Sequence, residues 1–285
     1  MYSLSPPRAR QLSISRGLDR RPELIESGRL RLYNSPGLDF RKAVKTMPNP
    51  RCALEVLLPV HNEAKSIEST IREINDVLSL RVAPRLIVCE DGSVDETKQV
   101  LLELSRVFPM KLIMSDERKG YSRAVIDGMR ALDADYLLCL DSDGQCDPKD
   151  FEKFWDVRDQ QDVAIGRRIK RVDNLLRRGL SRGFYFVYQL FCRVPVHDPS
   201  CPFVLAHRRV IESLAPELGE MNQGFWWEFT ARVHRRGFSL REIPINHRGR
   251  AAGKTQVYRL DRLFAIAHSH LAALLKIWRQ TRVKS

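Results

Sequence analysis

The sequence predicts an α/β fold in which a mostly parallel β-sheet carries helices on both faces. Two observations predict it: from residue 53 onward, short apolar runs alternate with longer segments of helical periodicity, and polar loops follow the apolar runs. This alternation is typical of βαβ units, whose parallel strands are buried on both faces. Ligands bind such sheets at the carboxyl ends of the strands, so the loops after the strands are where a functional site is expected.

The individual elements follow in regular order along the chain. The apolar runs predict strands at residues 54–59, 85–89, 111–114, 136–140 and 163–165. The intervening patterns predict helices at residues 66–80, 96–108, 121–132 and 148–159. Ser66 and Asp95 stand where helix N-caps are expected.

Two basic segments flank the predicted globular domain, which spans residues 51–258. Residues 1–50 are rich in Arg, Ser, Pro and Gly. We expect them to form a partly disordered extension with a short helix near residues 20–29. Residues 259–285 place Leu263, Leu271 and Leu274 on one helical face between basic residues, which predicts an amphipathic C-terminal helix. That helix would either pack on the domain or lie on an anionic membrane surface.

Charge and cysteine content bear on partners and compartment. The net charge of +13 favours an anionic partner, such as a nucleic acid, an anionic membrane or a phosphorylated substrate. The six cysteines form no CxxC pair and no zinc-type spacing, which indicates a reducing environment. No apolar stretch reaches the roughly 20 residues of a spanning helix, and the N-terminus has no signal-peptide pattern. We expect a cytoplasmic protein, at most peripheral on the cytoplasmic face of a membrane.

Acidic residues recur in three of the loops that follow predicted strands. The first loop contains His61-Asn62-Glu63, the second Glu90-Asp91-Gly92, and the third Asp141-Ser142-Asp143-Gly144-Gln145. Because the carboxyl ends of parallel strands meet at one edge of a sheet, we expect these loops to form a single site.

The third loop offers ligands for a hard divalent cation. Asp141 and Asp143 bring two carboxylates within reach of one ion, and Gln145 can add a neutral oxygen. Mg²⁺ and Mn²⁺ prefer oxygen ligands in octahedral geometry, with substrate phosphates filling the remaining positions. Such an ion offsets the charge that builds on a departing diphosphate.

Asp91 allows two interpretations. Beside Gly92, its carboxylate can accept a hydrogen bond from the N–H edge of a nucleobase. Alternatively it closes a turn that caps the next helix, a role that suits Asp95 better.

Several short motifs follow one another in a fixed order between residues 53 and 260. They are Leu57-Leu-Pro-Val-His-Asn-Glu-Ala64, Glu90-Asp-Gly-Ser-Val-Asp-Glu-Thr97, Lys119-Gly120, Asp141-Ser-Asp-Gly-Gln145, Gly166-Arg-Arg168, Asp198-Pro-Ser-Cys-Pro-Phe203 and Arg248-Gly-Arg-Ala-Ala-Gly-Lys-Thr255. In this order and spacing the set resembles the family 2 glycosyltransferases with a GT-A fold. Within that family it looks most like the dolichyl- and polyprenyl-phosphate sugar synthases.

The resemblance implies an inverting transfer of a sugar from a UDP- or GDP-sugar to a polyprenyl or other lipid phosphate. It implies that the nucleotide-sugar is held by Pro59, Glu63, Asp91, Gly120, Asp141 and Ser142. It further implies that Mg²⁺ or Mn²⁺ is ligated by Asp141, Asp143 and Gln145. The residues that would face phosphate groups of donor and acceptor are Arg168, Arg178, Arg250 and Lys254.

The sequence departs from the family pattern at two places. Cys201-Pro202 stands where the family has a small residue and Gly before Phe203, and Gln256 replaces a Lys or Arg after Gly-Lys-Thr. Both departures fall on the expected acceptor side, so the resemblance specifies the donor chemistry better than the acceptor.

The sequence is also compatible with another acceptor and with another function. A lipid monophosphate, with a second pKa of about 6, is ionised near neutrality and needs no general base. A soluble hydroxyl acceptor needs one, and Glu228 is the candidate. The arginine-rich stretches 167–182 and 248–254 favour the phosphate.

A basic nucleic-acid-binding module would also suit the charge. However, acidic residues gather at the expected ligand edge and no nucleic-acid-binding signature is visible, so no nucleic-acid partner is expected.

Overall fold

The computed structural model describes residues 24–27, 30–34, 53–169, 175–249 and 263–280. Within these residues one sheet is formed by β1 (Leu24–Ser27), β2 (Leu30–Asn34), β3 (Leu54–Val60), β4 (Arg85–Asp91), β5 (Met110–Ser115), β6 (Tyr136–Cys139), β7 (Val163–Arg168), β8 (Val204–His207) and β9 (Leu240–Ile245). The helices are α1 (Ile67–Leu78), α2 (Thr97–Leu104), α3 (Tyr121–Arg130), α4 (Phe151–Trp155), α5 (Leu175–Cys192), α6 (Arg208–Leu214), α7 (Phe225–Arg235) and α8 (Leu263–Gln280). A short 3₁₀ turn, Pro148–Asp150, precedes α4.

The strand order is β1-β2-β5-β4-β3-β6-β8-β7-β9. Strands β5, β4, β3 and β6 are mutually parallel, as are β7 and β9, whereas β8 runs antiparallel to β6 and β7. The seven strands from β3 to β9 are therefore mostly parallel, as predicted. Every residue of β3 is buried, and since successive side chains of a strand point to opposite faces, both faces of the sheet are covered.

The chain changes direction within the sheet at β3. From β3 it moves outward through β4 and β5, and it then returns to place β6 on the other side of β3. This is a topological switch point, where the loops after β3 and β6 separate and leave a crevice at the carboxyl edge. The acidic loops of the sequence lie at this edge.

The five predicted strands and four predicted helices are all present, with shifts at their ends. The N-cap of α2 is Glu96 and not Asp95 as predicted, although Asp95 lies one residue earlier and its Oδ1 accepts a hydrogen bond from the Thr97 N–H at 3.1 Å. Ser66 precedes α1 but does not cap it through its side chain. Its hydroxyl donates instead to Glu63 Oε2 at 2.7 Å.

The expectation of a short helix near residues 20–29 is wrong. Strands β1 and β2 form an antiparallel pair there, and β2 pairs antiparallel with β5, with Leu30 opposite Ser115. The sequence carries the signal: only Gly28-Arg29 separates the strands, and Leu30 and Leu32 alternate with Arg31 and Tyr33. The rest of residues 1–50 lies outside the described residues.

The C-terminal helix α8 packs against α5 and α7. Its inward face carries His270, Ala273, Leu274 and Ile277, whereas Leu271 is 41% exposed. The buried face is thus rotated relative to the predicted one, which had included Leu271. In the described part of the chain, no helix has both the length and the apolar character needed to cross a bilayer.

Helix α3 lies unusually close to the sheet at Gly128. A Cβ atom at this position would lie 2.1 Å from Leu57 Cδ1 on β3 and 2.9 Å from Cys89 Sγ on β4. Such distances are far shorter than van der Waals contact, so the absence of a side chain sets how deeply α3 seats on the two strands that lead into the site.

We predict opposite effects of the same substitution in two helices. Gly128→Ala should destabilise the protein by about 1–3 kcal/mol, because the new methyl group overpacks the core. Gly183→Ala in α5, where a Cβ would meet nothing within 4 Å, should stabilise it by about 0.5–1 kcal/mol. Thermal and urea unfolding of both variants tests this. Equal stability of the two variants would contradict the close packing of α3.

Candidate functional site

The loops after β3 and β4 are tied together by hydrogen bonds. His61 Nδ1 lies 2.8 Å from the Asp91 carbonyl oxygen, and the Asn62 N–H donates to Ser93 Oγ at 2.9 Å. In return the Val94 N–H donates to Asn62 Oδ1 at 2.9 Å. Asn62 has a positive φ of 55°, a conformation that asparagine tolerates better than most residues. The two loops therefore form one rigid rim of the crevice.

Two predicted nucleotide contacts lie at the start of this rim. Pro59 is buried within β3 and pairs in register with Cys89 of β4. Glu63 is half-buried, its N–H donates to Thr97 Oγ1 at 2.9 Å, and its carboxylate accepts the Ser66 hydroxyl. Both residues are at the carboxyl edge, but their contact with a nucleotide stays a prediction.

Asp91 holds a segment that the sequence did not connect with it. Its Oδ1 accepts the Lys119 N–H at 2.7 Å and its Oδ2 accepts the Gly120 N–H at 2.9 Å. Next to it Gly92 has φ +63°, and a Cβ there would lie 2.4 Å from the backbone nitrogen of Arg118. The segment before α3 therefore rests directly on the end of β4. A carboxylate has about four acceptor positions, so a nucleobase contact of Asp91 stays a prediction that these bonds do not preclude.

Asp141 follows β6 and is linked by side chains to two helices. Its Oδ1 accepts the Tyr121 hydroxyl at 2.9 Å, and the Trp226 Nε1–H donates to the same hydroxyl at 2.8 Å. Burial of the hydroxyl, together with the charge of Asp141, raises the pKa of Tyr121 well above its usual value. Tyr121 as a whole is nevertheless 38% exposed. Sequence reasoning missed both Tyr121 and Trp226.

Asp143 and Gln145 occupy a tight turn in the same loop. Asp143 is 8% exposed, its Oδ1 accepts the Gln145 N–H at 3.1 Å, and Gly144 between them has φ +71°. Ser142, predicted to contact the nucleotide-sugar, is buried. The turn thus folds the Asp143 carboxylate back onto the Gln145 N–H, and the positive φ at position 144 favours glycine.

A second segment is fastened to this loop. The Arg248 N–H donates to the Gln145 carbonyl oxygen at 2.9 Å, and the Arg248 guanidinium pairs with Glu73 at 2.8 Å and Asp147 at 2.7 Å. Arg250 and Lys254, predicted to face phosphate groups, follow in the sequence but lie outside the described residues, as does Gln256.

The chain's donors in this loop fit a hard divalent cation. Among the described residues no three His, Cys, Asp or Glu side chains cluster as a metal site. The predicted set of Asp141, Asp143 and Gln145 has only two such side chains, and its binding of a metal stays a prediction. Burial raises the pKa of the adjacent Cys146 thiol well above its usual value. Two carboxylates and an amide are what Mg²⁺ or Mn²⁺ binds together with substrate phosphates.

Two of the residues predicted to face phosphate groups, Arg168 and Arg178, lie on β7 and α5. Arg168 at the end of β7 binds Asp198 through Nε at 2.7 Å and Nη2 at 2.8 Å, and it also donates to Ser200 Oγ at 2.7 Å. The guanidinium is thus already bound to Asp198 and Ser200, and its contact with a phosphate stays a prediction. Arg178 belongs to α5, but its side chain lies outside the described residues.

The structure does not support Glu228 as a general base. Its side chain is fully buried, its Oε1 accepts Arg232 Nε at 2.9 Å, and its Oε2 accepts the N–H groups of Gly219 at 3.2 Å and Met221 at 2.9 Å. A base must reach the proton that it removes. Glu228 instead fixes the segment before α7, which the Arg four residues later on the helix could have indicated.

A cavity of about 210 Å³ lies away from these loops. Among its lining residues are Tyr136 at the start of β6 and His207 at the end of the antiparallel β8, which places it at the opposite edge of the sheet. Its charged groups are paired: Arg158 with Asp159 at 3.1 Å, and Arg209 with Asp162. This cavity is therefore separate from the candidate site.

Fold and site together define the class of protein. A mostly parallel sheet with acidic loops at its switch point, and an Asp-x-Asp turn after β6, is the GT-A arrangement that the sequence predicted. The family model described as "Glycosyl transferase family 2" matches residues 55–215, which is more than half of the chain. The chain belongs to glycosyl transferase family 2.

Similar proteins of known name agree with this family. The glycosyltransferase AglD of Haloferax volcanii is 30% identical over 217 residues, which cover 72% of this chain and 35% of AglD. A dolichol-phosphate mannosyltransferase of Pyrococcus furiosus is 26% identical over 215 residues, covering 72% of this chain and 59% of that protein. The match therefore spans only part of these relatives.

A similar fold is also found among solved structures. Glucosyl-3-phosphoglycerate synthase from Mycobacterium tuberculosis, in complex with Mn²⁺, UDP-glucose and phosphoglyceric acid, superimposes with a TM-score of 0.61. The two chains share 18% identity, and the superposition covers 80% of each. At this identity the likeness concerns the fold.

We predict that Glu228→Gln destabilises the protein by about 1–3 kcal/mol, because the buried Arg232 keeps only its second carboxylate partner, Glu217 at 3.2 Å, and the N–H groups before α7 lose a charged acceptor. The matched control is Glu212→Gln in the exposed i,i+4 pair with Arg208, which should change stability by less than about 0.5 kcal/mol. Urea unfolding measures both. If Glu228→Gln keeps wild-type stability but loses turnover, Glu228 is the base after all.

Proposed function

We propose that this chain transfers a sugar, with inversion, from a nucleotide-sugar to a polyprenyl or other lipid phosphate with the help of a divalent metal. One observation carries the proposal: Asp91, Asp141 and Asp143 lie along the same carboxyl edge, at the switch point, in a member of glycosyl transferase family 2. The rim formed by the loops after β3 and β4 would hold the nucleoside, and the Asp-x-Asp turn would hold the diphosphate end.

The donor and metal assignments rest on chemistry and on the fold. The donors of Asp141, Asp143 and Gln145 are all oxygen, which suits Mg²⁺ or Mn²⁺. The similar fold of glucosyl-3-phosphoglycerate synthase has been solved with Mn²⁺ and UDP-glucose. When bound, the ion supplies a positive charge that stabilises the departing nucleoside diphosphate. The choice between uridine and guanosine stays open in this proposal.

The reaction needs few groups from the chain beyond binding and charge. An oxygen of the acceptor phosphate forms a bond to the anomeric carbon of the sugar as the bond from that carbon to the donor diphosphate breaks. The acceptor oxygen is already ionised, since the second pKa of a phosphate monoester is about 6, so no residue has to remove a proton. The chain's own task is to align the two phosphates on opposite sides of the sugar and to exclude water.

The acceptor assignment is supported from two sides. The candidate base for a hydroxyl acceptor, Glu228, is buried and engaged by Arg232. A relative that aligns with 72% of this chain is named a dolichol-phosphate mannosyltransferase. The basic residues Arg178, Arg250 and Lys254 would offset the charge of a lipid phosphate in this proposal.

Surface helices suggest how such an acceptor would be reached. Helices α5 and α8 pack together, and each leaves large apolar residues exposed: Phe186 at 66% and Leu190 at 63% on α5, and Leu271 at 41% on α8. Phe186 and Leu190 are four residues apart, so they lie on one face of α5. An apolar face flanked by basic residues suits peripheral binding to an anionic membrane, which is the association that we propose.

We expect Asp143→Asn to lower turnover by more than about 100-fold without unfolding the protein, because an ionised ligand of the metal is lost. Asp156→Asn, at an exposed position paired with Arg81, is the control and should retain activity. Turnover of labelled UDP- and GDP-sugars with polyprenyl phosphate measures the effect, and excess EDTA should reproduce it in the wild type. Full activity of Asp143→Asn, or of the wild type in EDTA, would remove the metal from the mechanism.

The acceptor and membrane proposals are tested with the double variant Phe186→Asp/Leu190→Asp. It should lose more than about tenfold in affinity for anionic vesicles, since two large apolar side chains can no longer be buried. Val107 is also apolar and 65% exposed, but it lies on neither of these helices. The control variant Val107→Asp should therefore bind vesicles like the wild type. Flotation and transfer to vesicle-embedded polyprenyl phosphate are the measurements. Wild-type label found only in a water-soluble product would reject the lipid acceptor.

A further inference from the structure

We infer that Tyr121 is a positioning residue for Asp141, and that Trp226 determines the direction in which the Tyr121 hydroxyl donates its proton. The inference rests on the proposed function, because it concerns how the chain prepares Asp141 to hold the metal and the donor. It is drawn from a chain of two hydrogen bonds, Trp226 Nε1 to Tyr121 at 2.8 Å and Tyr121 to Asp141 Oδ1 at 2.9 Å.

The direction of these bonds follows from the chemistry of the three groups. An indole N–H can only donate, so Trp226 obliges the Tyr121 oxygen to act as an acceptor. A phenol has a single proton, and an ionised carboxylate can only accept, so that proton points to Asp141. The tyrosine hydroxyl, which otherwise rotates to suit its surroundings, is thereby fixed in one orientation.

The backbone is held in place at both neighbours of Tyr121, which are Gly120 and Ser122. Tyr121 is the first residue of α3 and follows Gly120, whose N–H is bound by Asp91 and whose φ of +97° is open to glycine. Ser122 Oγ donates to the Asn222 carbonyl oxygen at 2.7 Å, which joins the start of α3 to the segment before α7. These contacts fix the backbone from which the phenol projects, and the hydrogen bonds to Trp226 and Asp141 hold the hydroxyl between the two side chains.

Trp226 is held just as firmly. It is 5% exposed and lies edge-on to Phe225 and Phe229, with ring centroids 5.0 and 5.6 Å away. The indole is therefore a rigid donor rather than a surface side chain that meets Tyr121 by chance. One connected path, from Asp91 through Gly120 and Tyr121 to Asp141, thus joins the nucleoside rim to the Asp-x-Asp turn.

The consequence for the site concerns the orientation of one carboxylate. A hydrogen bond to Oδ1 selects one rotation of the Asp141 carboxyl group, and the remaining acceptor positions can still face a cation and the donor. Residues that hydrogen-bond to a metal ligand orient it, and their loss commonly lowers metal affinity by about 10- to 100-fold. Tyr121 would act in the same way here.

The test compares two tyrosines that donate to aspartates. Tyr121→Phe removes the hydroxyl next to Asp141, whereas Tyr136→Phe removes a similar bond, to Asp159 at 2.8 Å, at the far edge of the sheet. Mn²⁺ is titrated into each protein with UDP and, in parallel, with GDP, and free Mn²⁺ is followed by electron paramagnetic resonance. UDP and GDP binding in EDTA is measured separately.

We expect Tyr121→Phe to weaken Mn²⁺ binding by about tenfold or more, with nucleotide binding in EDTA unchanged and Tyr136→Phe like the wild type. Trp226→Phe should give a smaller loss of the same kind, because the hydroxyl remains but loses its direction. Wild-type Mn²⁺ affinity in Tyr121→Phe would overturn the inference, as would equal losses of metal and nucleotide binding. If Tyr121→Phe does not fold, unchanged Mn²⁺ affinity in Trp226→Phe overturns it. A wild-type protein that binds no Mn²⁺ with either nucleotide refutes the proposed metal site itself.

Discussion

The parallel pairing of β3 with β4 on one side and β6 on the other is the constraint on which the site depends. This pairing brings the ends of three strands, and therefore Val60, Asp91 and the loop at Asp141, to one edge of the sheet. It also requires β3 to be buried on both faces, which the apolar side chains of this strand and the close seating of α3 at Gly128 provide. The acidic loops meet because the core beneath them is tightly packed.

Above this core, the loops are ordered mainly by bonds between side chains and backbone. Asn62 and Ser93 join the first two loops, Asp91 binds the two N–H groups before α3, and Glu228 binds two N–H groups before α7. Loop backbone groups that no strand partner satisfies are in this way paired with carboxylates, amides and hydroxyls. Several of the polar residues near the site thus hold its backbone in place.

The sequence was most informative where structure depends on local patterns. Continuous apolar runs identified the central strands, and the polar residues directly after them identified the edge where Asp91, Asp141 and Asp143 meet. It was least informative where contacts join distant parts of the chain. Trp226 and Tyr121 are 105 residues apart, and Arg168 and Asp198 are 30 apart, so no spacing rule relates them.

Local signals were present in two other cases: the wrong expectation of a helix near residues 20–29, and the assignment of Glu228 as a base, which stays a prediction. The i,i+4 relation of Glu228 and Arg232 indicated an ion pair on one helix, and the two-residue separation of β1 and β2 indicated a hairpin. For Glu228, the carboxylate itself was given more weight than the Arg four residues later. For residues 20–29, the basic composition was given more weight than the hairpin pattern. The burial of Glu228 argues against its action as a base, and burial is a property of the whole fold that a short motif does not contain.

Gly92 limits how this protein can change in evolution. The atoms that a side chain at position 92 would strike are the carbonyl carbon of Glu117 and the nitrogen of Arg118, both of which belong to the main chain. A collision with a neighbouring side chain can be relieved by a second substitution that makes that neighbour smaller, but main-chain atoms are common to all amino acids. Position 92 and the path of residues 117–120 can therefore vary only together, through an insertion or deletion that reroutes the whole segment.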